Sequence, residues 1–86
     1  MNTPSDIEAI AESAWMDAVY TLWARGHLMG PSWYKLSVEQ RKENVVLAER
    51  LLALHQMGLR SLIVRAASSE VRFVFVEKIN DILMNT

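Results

Sequence analysis

A bundle of three or four α-helices, all-α, is the fold this chain predicts. Apolar residues recur at spacings of three and four along most of it, hydroxyl residues that can cap a helix precede the periodic stretches, and the three glycines stand at the breaks. Eighty-six residues make one domain, 1–86, near the lower end of the range in which a chain folds alone without disulfides or metal. Its base is expected to be an antiparallel hairpin of the first two helices.

The first helix opens on two nested start signals, Thr3-Pro4-Ser5-Asp6 and Ser5-Asp6-Ile7-Glu8. Each offers a hydroxyl cap with an acid three residues later, and Pro4 suits the first helical position. Ile7, Ile10, Ala11, Ala14, Ala18 and Leu22 then form one apolar stripe, widened by Trp15, Val19 and Trp23. Gly26 can take the left-handed conformation that ends a helix, with Arg25 placed where the helix dipole favours a cation. The connection that follows contains Gly30-Pro31, which breaks any regular element.

A capping box, Ser37-Val38-Glu39-Gln40, starts the strongest helix. Val45, Leu47, Ala48, Leu51, Leu52, Leu54 and His55 line its inner face, and Gly58 is its stop. The last third admits two readings. Residues 61–65 and 71–76 are rich in β-branched and aromatic side chains, so an α+β alternative has a C-terminal β-hairpin at 61–76. The helical reading starts from a cap at Ser69 and places Val71, Val74, Phe75, Ile79, Ile82 and Leu83 at helical spacing. It covers more residues and is preferred, because polar and apolar positions do not alternate.

Composition removes several classes of function. With no cysteine, a disulfide scaffold, a thiolate zinc site and a cysteine nucleophile are excluded, and a reducing compartment, the cytoplasm, is expected. Residues 1–6 carry no basic charge ahead of an apolar run, so no secretory signal is expected, nor is any stretch long enough to span a membrane. Net charge is −1, which disfavours nucleic acid as a partner. The charge is nevertheless polarised: four acids and no bases precede Arg25, whereas residues 25–65 hold seven bases and three acids. Such halves attract, within one molecule or between two.

No pattern of catalytic chemistry emerges. His27 and His55 lack a ligand spacing, so neither a catalytic nor a metal role is assigned to them. His27 is expected near the end of the first helix and His55 as a satisfied, partly buried side chain. Ser5, Ser37 and Ser69 are accounted for as caps, no glycine-rich phosphate loop exists, and no cofactor is expected.

What remains is an aromatic cluster. Five of the seven aromatic residues, Trp15, Tyr20, Trp23, Trp33 and Tyr34, fall within 20 residues. Such side chains serve equally as core, as protein interface or as a stacking platform. As core, Trp33 and Tyr34 would fold back from the connection. As a ligand site, Trp23, Trp33 and Tyr34 would line a pocket rimmed by Arg25, His27 and Lys35, suited to an anionic planar ligand such as a nucleotide.

The run Gly30-Pro31-Ser32-Trp33-Tyr34-Lys35-Leu36-Ser37-Val38-Glu39-Gln40-Arg41-Lys42, preceded by Trp23 and followed by a Leu-rich helix ending near Gly58, resembles the repeat module named after ryanodine receptors. The likeness covers residues 11–58, and the last third has no counterpart in it. Small stand-alone versions of that module occur in bacteria and phages. The resemblance implies a mostly helical binding module with Trp23, Trp33 and Tyr34 as the positions to suspect, and no reaction.

The chain is therefore expected to be a non-enzymatic accessory protein that acts by binding protein, including itself as a homodimer. An apolar fraction of 51% exceeds what so small a core can hide. Leu59, Leu62, Ile63, Val71, Phe73, Val74, Phe75 and Val76 exceed one helix stripe, so the C-terminal third is the expected dimer interface.

Overall fold

The computed structural model describes residues 4–58 and 69–84. Three helices account for most of them: α1 (Pro4–Ala24), α2 (Val38–Gln56) and α3 (Glu70–Met84), with a single 3-10 turn at Trp33–Lys35 between the first two.

The helix ends have local causes. Past α1, Gly26 takes a φ of +93°, its N–H donates to the Trp23 carbonyl at 3.0 Å, and the His27 N–H donates to the Leu22 carbonyl at 3.0 Å. This Schellman arrangement satisfies carbonyls that the helix end would leave bare. At Ser37 the expected capping box is present: the Ser37 hydroxyl accepts from the Gln40 N–H and the Gln40 side-chain oxygen accepts from the Ser37 N–H, both at 3.1 Å. Gly58, with a φ of +76°, follows α2, and its N–H donates to the His55 carbonyl at 3.0 Å. The Ser69 hydroxyl oxygen accepts from the Arg72 N–H at 3.3 Å and opens α3.

Residues 71–76 are helical, so the β-hairpin at 61–76 is not formed; its first arm, 61–65, lies outside the described residues. The pattern there resembled a strand because α3 is buried over a wide arc. Val74, Phe75 and Val76 are consecutive and all fully buried, together with Ile79 and Leu83. At 3.6 residues per turn Val74 and Val76 stand about 200° apart, so α3 has neighbours on more than one side and loses the single stripe of a surface helix.

α1 makes room for it. Ala11, Ala14 and Ala18 are fully buried, and their small side chains let another helix come close. Among the described helices the pairing of α1 with α3 is the most extensive, whereas α2 packs less extensively on each of them. His27, just past α1, meets Glu70 at 3.4 Å, and Trp15 meets Phe75 edge-on with ring centroids 6.0 Å apart, so the two helices run antiparallel. α2 adds the buried Ala48 and Leu51 and is tied to α3 by a 2.8 Å ion pair between Glu43 and Arg72.

The bundle thus centres on α1 and α3, whereas the sequence suggested a hairpin of α1 and α2. The connection after Gly26 runs back along the flank of α1, so that α2 begins beside Glu8 and Glu12, not beside Arg25. No described helix is long and apolar enough to cross a membrane.

This packing corrects the expected dimer interface. Val74, Phe75 and Val76 are interior to one chain and have no surface to offer another. Val71 is half-buried, Phe73 is exposed on the outer edge of α3, and Leu59, Leu62 and Ile63 lie outside the described residues.

Candidate functional site

The returning connection divides the aromatic cluster into buried and exposed members. Along it, the Trp15 indole N–H donates to the Pro31 carbonyl at 2.8 Å, and the Trp33 N–H approaches the Met16 sulfur at 3.4 Å. Gly30 lies against Val19, where an added Cβ would stand 3.6 Å from a valine methyl. These contacts carry Trp33 into the core, where 2% of it is exposed. Tyr34, next in the chain, points out and keeps 74% of its surface in water.

Trp33 therefore cannot line a ligand pocket with Trp23 and Tyr34, and the core reading holds for it. Tyr34 pairs with Glu12, which lies eleven residues before Trp23. That separation is about 16 Å along the helix axis at 1.5 Å per residue. Arg25 and Lys35 are exposed. The hydrogen bond from the Tyr34 hydroxyl to the Glu12 carboxylate, together with that negative charge, raises the tyrosine pKa above its ordinary value; slight desolvation and Glu8 push the same way, and Arg41 opposes them.

Beside the connection lies an apolar hollow of about 580 Å³. Trp15, Val19 and Leu22 form its α1 wall, Leu28 and Pro31 its loop wall, and Leu36, Gln40 and Val71 close it. Of the six residues assigned to a ligand site, only His27 borders it. A smaller hollow of about 180 Å³ shares Trp15, Leu36, Gln40 and Val71 with the first and is lined also by Asn44, Ser69 and Arg72.

Asn44 is the residue that sequence reasoning missed. It is 2% exposed, and its side-chain oxygen is buried without a hydrogen-bond partner. The available signal was its place four residues before Ala48 and seven before Leu51, on the buried stripe of α2.

The other two exposed members of the cluster lie near the end of α1, away from Tyr34. Tyr20 and Trp23, three residues apart on α1, are 53% and 57% exposed, and Leu28 and Met29 are exposed just beyond them. Trp23 was expected on the widened stripe of α1. Eight residues after Trp15 it is rotated by about 80° and passes beyond the buried face.

The histidines stand apart: His27 pairs with Glu70, while His55 is half-buried near the end of α2. The His55 Nδ1 has no hydrogen-bond partner, so this side chain is not satisfied as the sequence suggested. Among the described residues no three His, Cys, Asp or Glu side chains converge as a metal site would require. Comparison of the chain with family models, with curated proteins and with solved structures finds no match.

Proposed function

We propose that this chain is a small non-enzymatic accessory protein that acts by binding protein chains, a second copy of itself first among them, through the end of α1 around Tyr20 and Trp23. One observation carries the reading: these two large side chains keep more than half of their surface in water while Trp15 and Trp33 are buried. Tyrosine and tryptophan supply much of the binding energy at protein interfaces, because each couples a broad apolar face to a polar tip. Leu28 and Met29, also exposed, extend the apolar surface at that end.

Charge supports self-association as well. α1 carries Asp6, Glu8 and Asp17 exposed to solvent and no base, whereas residues 25–65 hold seven bases and three acids. The acidic helix of one copy can meet the more basic stretch 25–65 of the next. The likeness of residues 11–58 to the ryanodine-receptor repeat is in keeping with a binding role in a bacterium or phage, and the lack of cysteine with work in the cytoplasm.

Sedimentation at tens of micromolar, a range set by ordinary interface affinities, tests the proposal. The wild-type chain is expected to be dimeric, and the double variant Tyr20→Ala, Trp23→Ala monomeric with an unchanged circular dichroism spectrum. A wild-type monomer would sink self-association, and a variant that still dimerises would sink the assigned surface.

A further inference from the structure

We infer that the apolar hollow of about 580 Å³ beside the connection receives the Trp23 ring of a second copy, while the Trp23 ring of the first copy enters the hollow of the second. Self-association through the end of α1 is the premise. The hollow gives the exposed tryptophan a place to be buried.

Ring and hollow lie side by side on one face. Trp15, Val19 and Leu22 form the α1 wall of the hollow, and Trp23 follows Val19 by four residues. At 100° per residue Trp23 stands about 40° round the helix from Val19, whereas Tyr20 stands about 100° from it. Trp23 is therefore the side chain placed to act with the hollow. Leu28 belongs both to the wall of the hollow and to the exposed apolar surface at the end of α1. A two-fold axis between ring and hollow lets each copy fill the other at the same time, the reciprocity that an isologous interface requires.

The chemistry of the walls matches an indole. Among the described residues no Asp, Glu, Lys or Arg borders the hollow, so it suits a neutral apolar group. Trp15 in its wall offers an aromatic partner to the incoming ring. Interface size points the same way. Tyr20, Trp23, Leu28 and Met29 leave on the order of 500 Å² in water, judged from the size of such side chains. A stable interface takes about 800 Å² from each partner, so the exposed patch alone is too small and the adjoining surface has to take part. A tryptophan seated in a desolvated pocket is also the commonest form of a dominant interface contact.

Complementation between two variants of the whole chain tests this contact. Trp23→Ala keeps the hollow and lacks the ring. Val71→Asp keeps the ring and sets a charge in the wall of the hollow, at the second residue of α3, where the helix dipole favours an acid. By sedimentation at tens of micromolar the wild-type chain is expected to be dimeric, and each variant alone to have a dissociation constant raised at least about tenfold. An equimolar mixture of the two should show a higher mean mass than either variant at the same total concentration, because one ring-in-hollow contact is restored. Circular dichroism checks that Val71→Asp folds. Should it not, a sample mixed from isotope-labelled and unlabelled wild-type chains decides, with cross-relaxation expected between the Trp23 ring of one copy and the Val71 methyls of the other. A mixture no heavier than its components, Val71→Asp dimerising as well as the wild type, or no such cross-relaxation in a wild-type dimer would overturn this contact and leave self-association standing. A wild-type monomer would overturn both.

Discussion

Replacing Asn44 by leucine should stabilise the fold. The side-chain oxygen of Asn44 is buried and unpaired, which costs about 1–3 kcal/mol relative to an apolar group of similar size. Leucine has as many side-chain heavy atoms as asparagine, and its greater volume can relax into the adjoining hollow of about 180 Å³. The position lies within α2, where leucine is favoured over asparagine by roughly 0.5 kcal/mol. The net gain is about 2 kcal/mol. For a domain of this size each kcal/mol moves Tm by roughly 4–8 °C, so a rise of about 8–16 °C is expected by calorimetry or by circular dichroism. A matching rise in the urea midpoint with an unchanged slope would assign the effect to the native state. A fall in Tm would refute the reasoning, since it would mean that the Asn44 amide is fully hydrogen-bonded in solution.

Three further expectations follow from the packing. Phe75→Ala removes a fully buried ring that Trp15 meets edge-on and should cost about 3–5 kcal/mol, whereas Trp23→Ala, more than half exposed, should stay within about 0.5 kcal/mol; chemical denaturation of both distinguishes core from surface. Gly26→Ala meets no neighbouring atom, but its φ of +93° should cost about 1–2 kcal/mol in backbone conformation, while Gly30→Ala, in ordinary contact with Val19, should be neutral or stabilising by up to about 1 kcal/mol in thermal melts. The Tyr34 hydroxyl should titrate above the ordinary tyrosine range, read as the near-ultraviolet difference between wild type and Tyr34→Phe, and Glu12→Gln should bring it back down. The folded chain holds that proton more tightly than the unfolded one. Any stability from the pair is therefore complete below the ordinary tyrosine pKa and lost as pH rises through the raised value.

The candidate site was legible in part. The cluster of aromatic residues between Trp15 and Tyr34 was visible as a feature, and the core alternative for Trp33 was among its readings. Which member goes inside depends on the path of the connection, and nothing in the local pattern specifies that the Pro31 carbonyl reaches the Trp15 indole. Asn44 was hidden for a related reason. One polar residue on an inner helical face looks like an ordinary interruption until the neighbouring helices show that no partner reaches its oxygen.

Helix identity and helix ends belong to the sequence itself, because the forces that set them act within a few residues. The hydroxyls of Ser37 and Ser69 answer N–H groups three residues on, and Gly26 turns the chain with bonds that span no more than five residues. The destination of each apolar side chain was decided only by tertiary packing. Val74, Phe75 and Val76 carry the same chemistry whether they meet a second chain or their own α1 and α2. Burial rewards the loss of water-exposed area and is indifferent to which surface replaces the water, so only the arrangement of the three helices could distinguish a core from an interface.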